Sequence, residues 1–121
     1  MENKQLVIID VNWWVSASIN RQSRLLLFNT LKSNKYIYIY SDELLSEYRA
    51  VICREKFARI ISAEQIEEFI EFVTSLMQKR SIETNIIGSR DEKDNYLLAL
   101  AYDSRANYLV TGDKDLLVLI H

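Results

Sequence analysis

The run Leu6-Val7-Ile8-Ile9 is apolar without a break and stops on Asp10. A strand with one wet face alternates apolar and polar side chains, whereas a continuous run suits a strand covered on both faces. Such strands belong to sheets sandwiched between helices, so this stretch pushes the chain toward an α/β architecture. Two further runs agree. "YIYIYS" (36–41) alternates Tyr with Ile, and "YLVTG" (108–112) is short and closed by a glycine. Between them lie helical stretches. "SRLLLFNTLKSN" (23–34) is one. "DELLSEYRAVICREK" (42–56) carries acids early and bases late, with Ser41 or Asp42 as its cap. "AEQIEEFIEFVTSLMQKR" (63–80) follows Ser62 and has one apolar stripe through Ile66, Phe69, Ile70, Val73 and Met77. "RDEKDNYLLALAYDSRA" (90–106) opens with acids, as a helix start does.

"SIETNII" (81–87) reads as a weaker strand and "DKDLLVLI" (113–120) as a short helix or turn. The expected order is β-α-β-α-α-β-α-β and then that last short element. It predicts a three-layer α/β/α sandwich around a central parallel sheet of about four strands, in a single domain over 1–121.

Composition narrows the chemistry. With one Cys and one His, the latter terminal, the chain of 121 residues can form neither an internal disulfide nor a Cys/His zinc cluster, and a Ser-His-Asp triad would have to use His121. Hydrolysis would therefore rest on carboxylates and metal. The net charge of −2 counts against a module that binds nucleic acid by phosphate contacts alone. No apolar run reaches a membrane span of about 18 residues, and no basic-then-apolar leader is seen, so a cytoplasmic protein with no membrane partner is expected.

Ligands of open α/β sheets bind beyond the carboxyl ends of the strands. Asp10 follows the first strand, Glu47 lies a turn and a half into the helix after the second, Asp91 and Asp94 come near the next helix start, and Asp113 and Asp115 follow the last strand. Like charges gathered at one edge repel, and a divalent cation reverses that penalty. Carboxylates suit Mg²⁺ and Mn²⁺. Each acid alone has a plainer reading: a cap or first-turn acid for Asp91, Asp94 and Asp113, a solvated helix residue for Glu47. Their common edge is what joins them.

"VIIDVN", "LLSEYRAVICREKF", "RDEKDNYLLALA" and "YLVTGDKDLL" resemble the acidic motifs of the PIN-domain family, most closely its bacterial subgroup of VapC-type toxins. The resemblance runs from about residue 5 to 119. It implies a metal-dependent ribonuclease whose Mg²⁺ or Mn²⁺ site is formed by Asp10, Glu47, Asp94 and Asp113. Asn12, Ser41, Asp91, Thr111 and Asp115 would support it. Asp10, Asp94 and Asp113 would hold the ion, and Glu47 would complete the shell or orient the attacking water. RNA as substrate, an antitoxin protein as partner and a homodimer are implied in the same way. Two departures stand out. Val11 occupies a position where the family usually has Thr or Ser, and relatives usually continue past "DLLVL" into one more strand, so the sheet is expected to expose an edge. These departures leave room for an alternative, a catalytically inactive PIN-like scaffold that binds RNA or a protein. A receiver-like phosphoacceptor fits poorly: "IID" has a single acid and "SIETNII" ends with none.

Among the other residues, Trp13 and Trp14 read as core or dimer surface before base-stacking platforms, and Tyr36, Tyr38 and Tyr40 as packing under a helix. Arg21, Arg24, Arg49, Arg54, Lys56 and Arg59 could steer phosphates, with Arg49 and Arg90 foremost. Cys53 is expected to be an inert core residue.

Overall fold

The structure is a computed structural model that describes residues 4–33, 35–83, 92–110 and 117–119, with the backbone alone at 92–96, 98 and 117–119. The sheet order is β3-β2-β1-β4-β5. Its strands are β1 (Gln5–Ile9), β2 (Tyr36–Tyr40), β3 (Gln78–Lys79), β4 (Tyr108–Val110) and β5 (Leu117–Leu119). The first four are mutually parallel, and β5 pairs antiparallel with β4. Among the described residues five α-helices flank them: α1 (Val11–Ile19), α2 (Arg21–Lys32), α3 (Asp42–Ile52), α4 (Ala63–Ser75) and α5 (Glu92–Ser104). This is the expected α/β/α sandwich with its four parallel strands.

The central strand behaves as its sequence demands. Val7, Ile8 and Ile9 are all buried, with Val7 in register with Tyr38 and Tyr108 on one face and Ile8 with Ile39 and Leu109 on the other. Apolar side chains are needed at every position because both faces are covered.

Helix signals explain the layers. The Ser41 hydroxyl accepts from the Leu44 N–H at 3.2 Å and starts α3. Leu44, Tyr48 and Ile52, spaced by four, bury one face of that helix. Ser62 and Gln65 cap α4 reciprocally, each side chain taking the other's backbone N–H at 3.1 and 2.9 Å. Asn20 caps α2, while Arg24 donates to the Ala17 and Ser18 carbonyls at 2.9 and 3.1 Å, so α1 and α2 are clasped as a hairpin. Among the described residues, no helix is long and apolar enough to cross a membrane.

Several expectations need correction. Two helices, α1 and α2, join β1 to β2 where the sequence pattern predicts one over 23–34. The helix expected over 63–80 ends at Ser75, and the third strand is Gln78–Lys79, taken from its tail. Residues 81–83 of the anticipated strand carry no regular structure, and 84–87 lie outside the described residues. The segment read as a last short helix or turn contributes β5 instead. Cys53 is exposed, since α3 ends at Ile52 and the side chain falls beyond the buried stripe.

Candidate metal centre

The chain leaves β1 for β2 and β3 on one side, then returns to β4 on the other. The connections therefore diverge between β1 and β4, and the carboxyl ends of those two strands form the crevice of an open α/β sheet. Asp10 stands there, with its backbone N–H donating to the Val110 carbonyl at 2.8 Å. It is half-buried and occupies the N-cap position of α1, yet its side chain makes no cap bond to that helix. The positive end of α1 nevertheless favours a negative charge at this point.

Glu47 is the sixth residue of α3 and is half-buried. The helices associated with the two acids pack on one another. Their contact is Trp14 against Tyr48, ring centres 5.9 Å apart, and both residues are wholly buried. Trp14 is four residues after Asp10 and Tyr48 one after Glu47, so this aromatic pair joins the two helices next to the acids in the core. Burial pushes the Tyr48 phenol above its ordinary value, an effect the nearby Ser18 hydroxyl opposes.

Asp94 lies in the first turn of α5, where the backbone alone is described. Asp91, Thr111, Asp113 and Asp115 lie outside the described residues. Among the described residues no three His, Cys, Asp or Glu side chains come together as a metal-holding group. The side chains of Asp10 and Glu47 are hard oxygen donors, the chemistry that Mg²⁺ and Mn²⁺ take and that zinc thiolate sites do not use.

The supporting residues divide. Asn12 is exposed on the first turn of α1. Ser41 is wholly buried and engaged in capping α3, so it acts by fixing the start of the helix that carries Glu47. Ser41→Ala is expected to lower stability by about 1–2 kcal/mol in urea melts, the usual cost of a lost cap at a buried site. Val11 is buried in the core and contributes no hydroxyl.

The cations also sort by partner. Arg49 is held in a two-pronged pair with Glu67, which keeps the Glu67 carboxyl below its ordinary value. Arg24 is committed to the carbonyls ending α1. Lys79 pairs with Asp42 at 2.9 Å. Arg80 has its backbone N–H on the Tyr40 carbonyl at 2.8 Å and its guanidinium on Gln78 Oε1 at 3.2 Å. No motif announced it; only the position of β3 reveals which edge it joins. A separate cleft of 350 Å³ under α2, walled by Val7, Ile9, Trp13, Tyr38 and Tyr108, is apolar and carries no carboxylate. It cannot supply the hydrolytic chemistry.

Comparison with known proteins agrees with this architecture. A family model described as PIN domain matches residues 6–115. An uncharacterized protein of Methanocaldococcus jannaschii is 30% identical over 115 residues, covering 93% of this chain and 74% of that protein. With an acid at the switch point of a parallel sheet and a match across nearly its whole length, the chain belongs to the PIN domain family, whose function is of the nuclease type.

Proposed function

We propose that the chain is a metal-dependent endoribonuclease that hydrolyses RNA phosphodiester bonds at the carboxyl edge of its sheet, and that it is the toxin of a toxin–antitoxin pair. The observation that carries the reading is the family match over 6–115, a span that contains Asp10, Glu47, Asp94 and Asp113. Asp10, Asp94 and Asp113 hold Mg²⁺ or Mn²⁺ in this reading, and Glu47 completes the shell or orients the attacking water. Asn12 and Ser41, with Asp91, Thr111 and Asp115, support those four. When bound, such a cation lowers the pKa of a water and neutralises charge on the scissile phosphate. The protein works in the cytoplasm as a homodimer, restrained by an antitoxin protein.

A second reading is a PIN scaffold that binds RNA or a protein without cutting, favoured by Val11, which packs in the core where a hydroxyl would otherwise stand near the first acid. Incubating the purified chain with mixed RNA and single-stranded DNA in Mn²⁺, Mg²⁺ or EDTA separates the two. The expected result is cutting of RNA in either cation and none in EDTA. RNA left intact under all three conditions would leave the scaffold.

A further inference from the structure

Ile8 is in register with Ile39, and Tyr40 with Lys79. Carried forward along the parallel strands, this register puts Asp10, Ser41 and Arg80 in one row just past the carboxyl ends of β1, β2 and β3. Adjacent strands lie about 4.8 Å apart, so the backbones of Asp10 and Arg80 are separated by about 10 Å. The Arg80 N–H bond to the Tyr40 carbonyl fixes that position.

The Arg80 side chain is half-buried and bonds a neutral acceptor, Gln78 Oε1. Among the described residues no carboxylate pairs with it, whereas Arg49 and Lys79 are paired with Glu67 and Asp42. A chain of net charge −2 thus keeps an uncompensated guanidinium among its described residues, on the edge where Asp10 stands. Guanidinium is planar, always charged and matched in shape to a phosphate, which it grips through two parallel N–H bonds. Holding a strand whose cleavage site is at an acidic edge needs positive charge at a distance from the acids, where it neither pairs with them nor displaces a cation.

We propose that Arg80 binds a backbone phosphate of the RNA strand, one flanking the phosphate presented to the acidic edge. The identity of the strand rests on the ribonuclease reading above. Arg80 is a positioning residue whose guanidinium rests on Gln78 Oε1, two residues back along the chain, and it acts on substrate affinity before turnover.

Binding of a short labelled single-stranded RNA, measured by anisotropy in EDTA at several salt concentrations, tests this contact without cleavage. Arg80→Gln is expected to bind about tenfold more weakly, as loss of a charge-assisted bond implies. The slope of log affinity against log salt should fall by about 0.7, the share of one phosphate on a single strand. Arg80→Lys should keep the slope and lose part of the affinity, because an ammonium is a point charge. Lys35→Gln, at the amino end of β2, should bind as the parent does. Arg80→Gln with parental affinity and slope would overturn the contact, as would an equal loss in Lys35→Gln. If Arg80→Gln fails to fold by circular dichroism, Arg80→Lys decides, and unchanged affinity there overturns the proposal. Cleavage by the parent chain with no binding defect in Arg80→Gln sinks this contact alone. A parent chain that binds RNA through Arg80 but never cuts it sinks the nuclease reading alone.

Discussion

Asp10→Asn is expected to reduce RNA cleavage by a factor on the order of a thousand, the cost typical of removing one fixed partner of the developing charge. The same variant should keep its unfolding midpoint, because the charge lost from the positive end of α1 and the repulsion relieved among the acids oppose each other. Asp10 ends the central strand at the point where the chain's connections diverge, and it is only half-buried. Replacing the carboxylate with an isosteric amide leaves the backbone bond from residue 10 to the Val110 carbonyl in place. It also removes one of the like charges that the proposed site draws together, so the uncharged edge repels itself less. Asp94→Asn should behave alike, and the double variant should be little worse than either, because residues that act as a unit do not add. Single-turnover cleavage across a Mn²⁺ titration, with a thermal melt of each variant, gives both readouts. Parental cutting rates in both single variants would reject this site while leaving the fold and the family untouched.

What the sequence disclosed follows from how each element is stabilised. Residues 6–9 are legible because a strand covered on both faces must be apolar throughout, and 108–110, though only half-buried, are legible as a short apolar run closed by a glycine. The cap at Ser62 marks its helix start to the residue and the choice of Ser41 or Asp42 marks the other to within one, with Ser41 the cap, because capping is a local interaction. The missed elements lack a local signal. α1, Val11–Ile19, is apolar on nearly every side, so it offers no stripe, and it is defined by what packs around it. β3 consists of Gln78 and Lys79, exposed polar residues whose strand character comes only from pairing with β2. β5 is the short run Leu117–Leu119, and its pairing with β4 decides between strand and turn. The site shows the same division. Asp10 was conspicuous as a charge at the end of an apolar run. Arg80 was invisible, because its place at that edge depends on a strand that only tertiary pairing creates.

Trp14→Ala should cost about 3–5 kcal/mol, a large share of the total stability of a domain this size. The indole is wholly buried, tilted against Tyr48 at 5.9 Å and edge-on to Phe69 at 6.5 Å, so truncation opens a cavity where α1, α3 and α4 meet. Trp14→Phe should cost less than about 2 kcal/mol, and the reason lies in one atom. Among the described residues the indole Nε1 has no hydrogen-bond partner, and a buried donor without one carries a penalty of about 1–3 kcal/mol. Phenylalanine gives up some volume and also gives up that penalty, so the two changes offset. Urea melts of both variants measure the difference directly. If Trp14→Phe proves as damaging as Trp14→Ala, the N–H is satisfied by a group or water that the described residues do not include. The pair of variants also separates structure from recognition. A side chain with no exposed surface cannot stack on a base, so Trp14→Phe should cut RNA at the parental rate. Trp14→Ala, by loosening the Trp14–Tyr48 contact, should lose activity along with stability, because that contact packs the helix that follows Asp10 against the helix that carries Glu47.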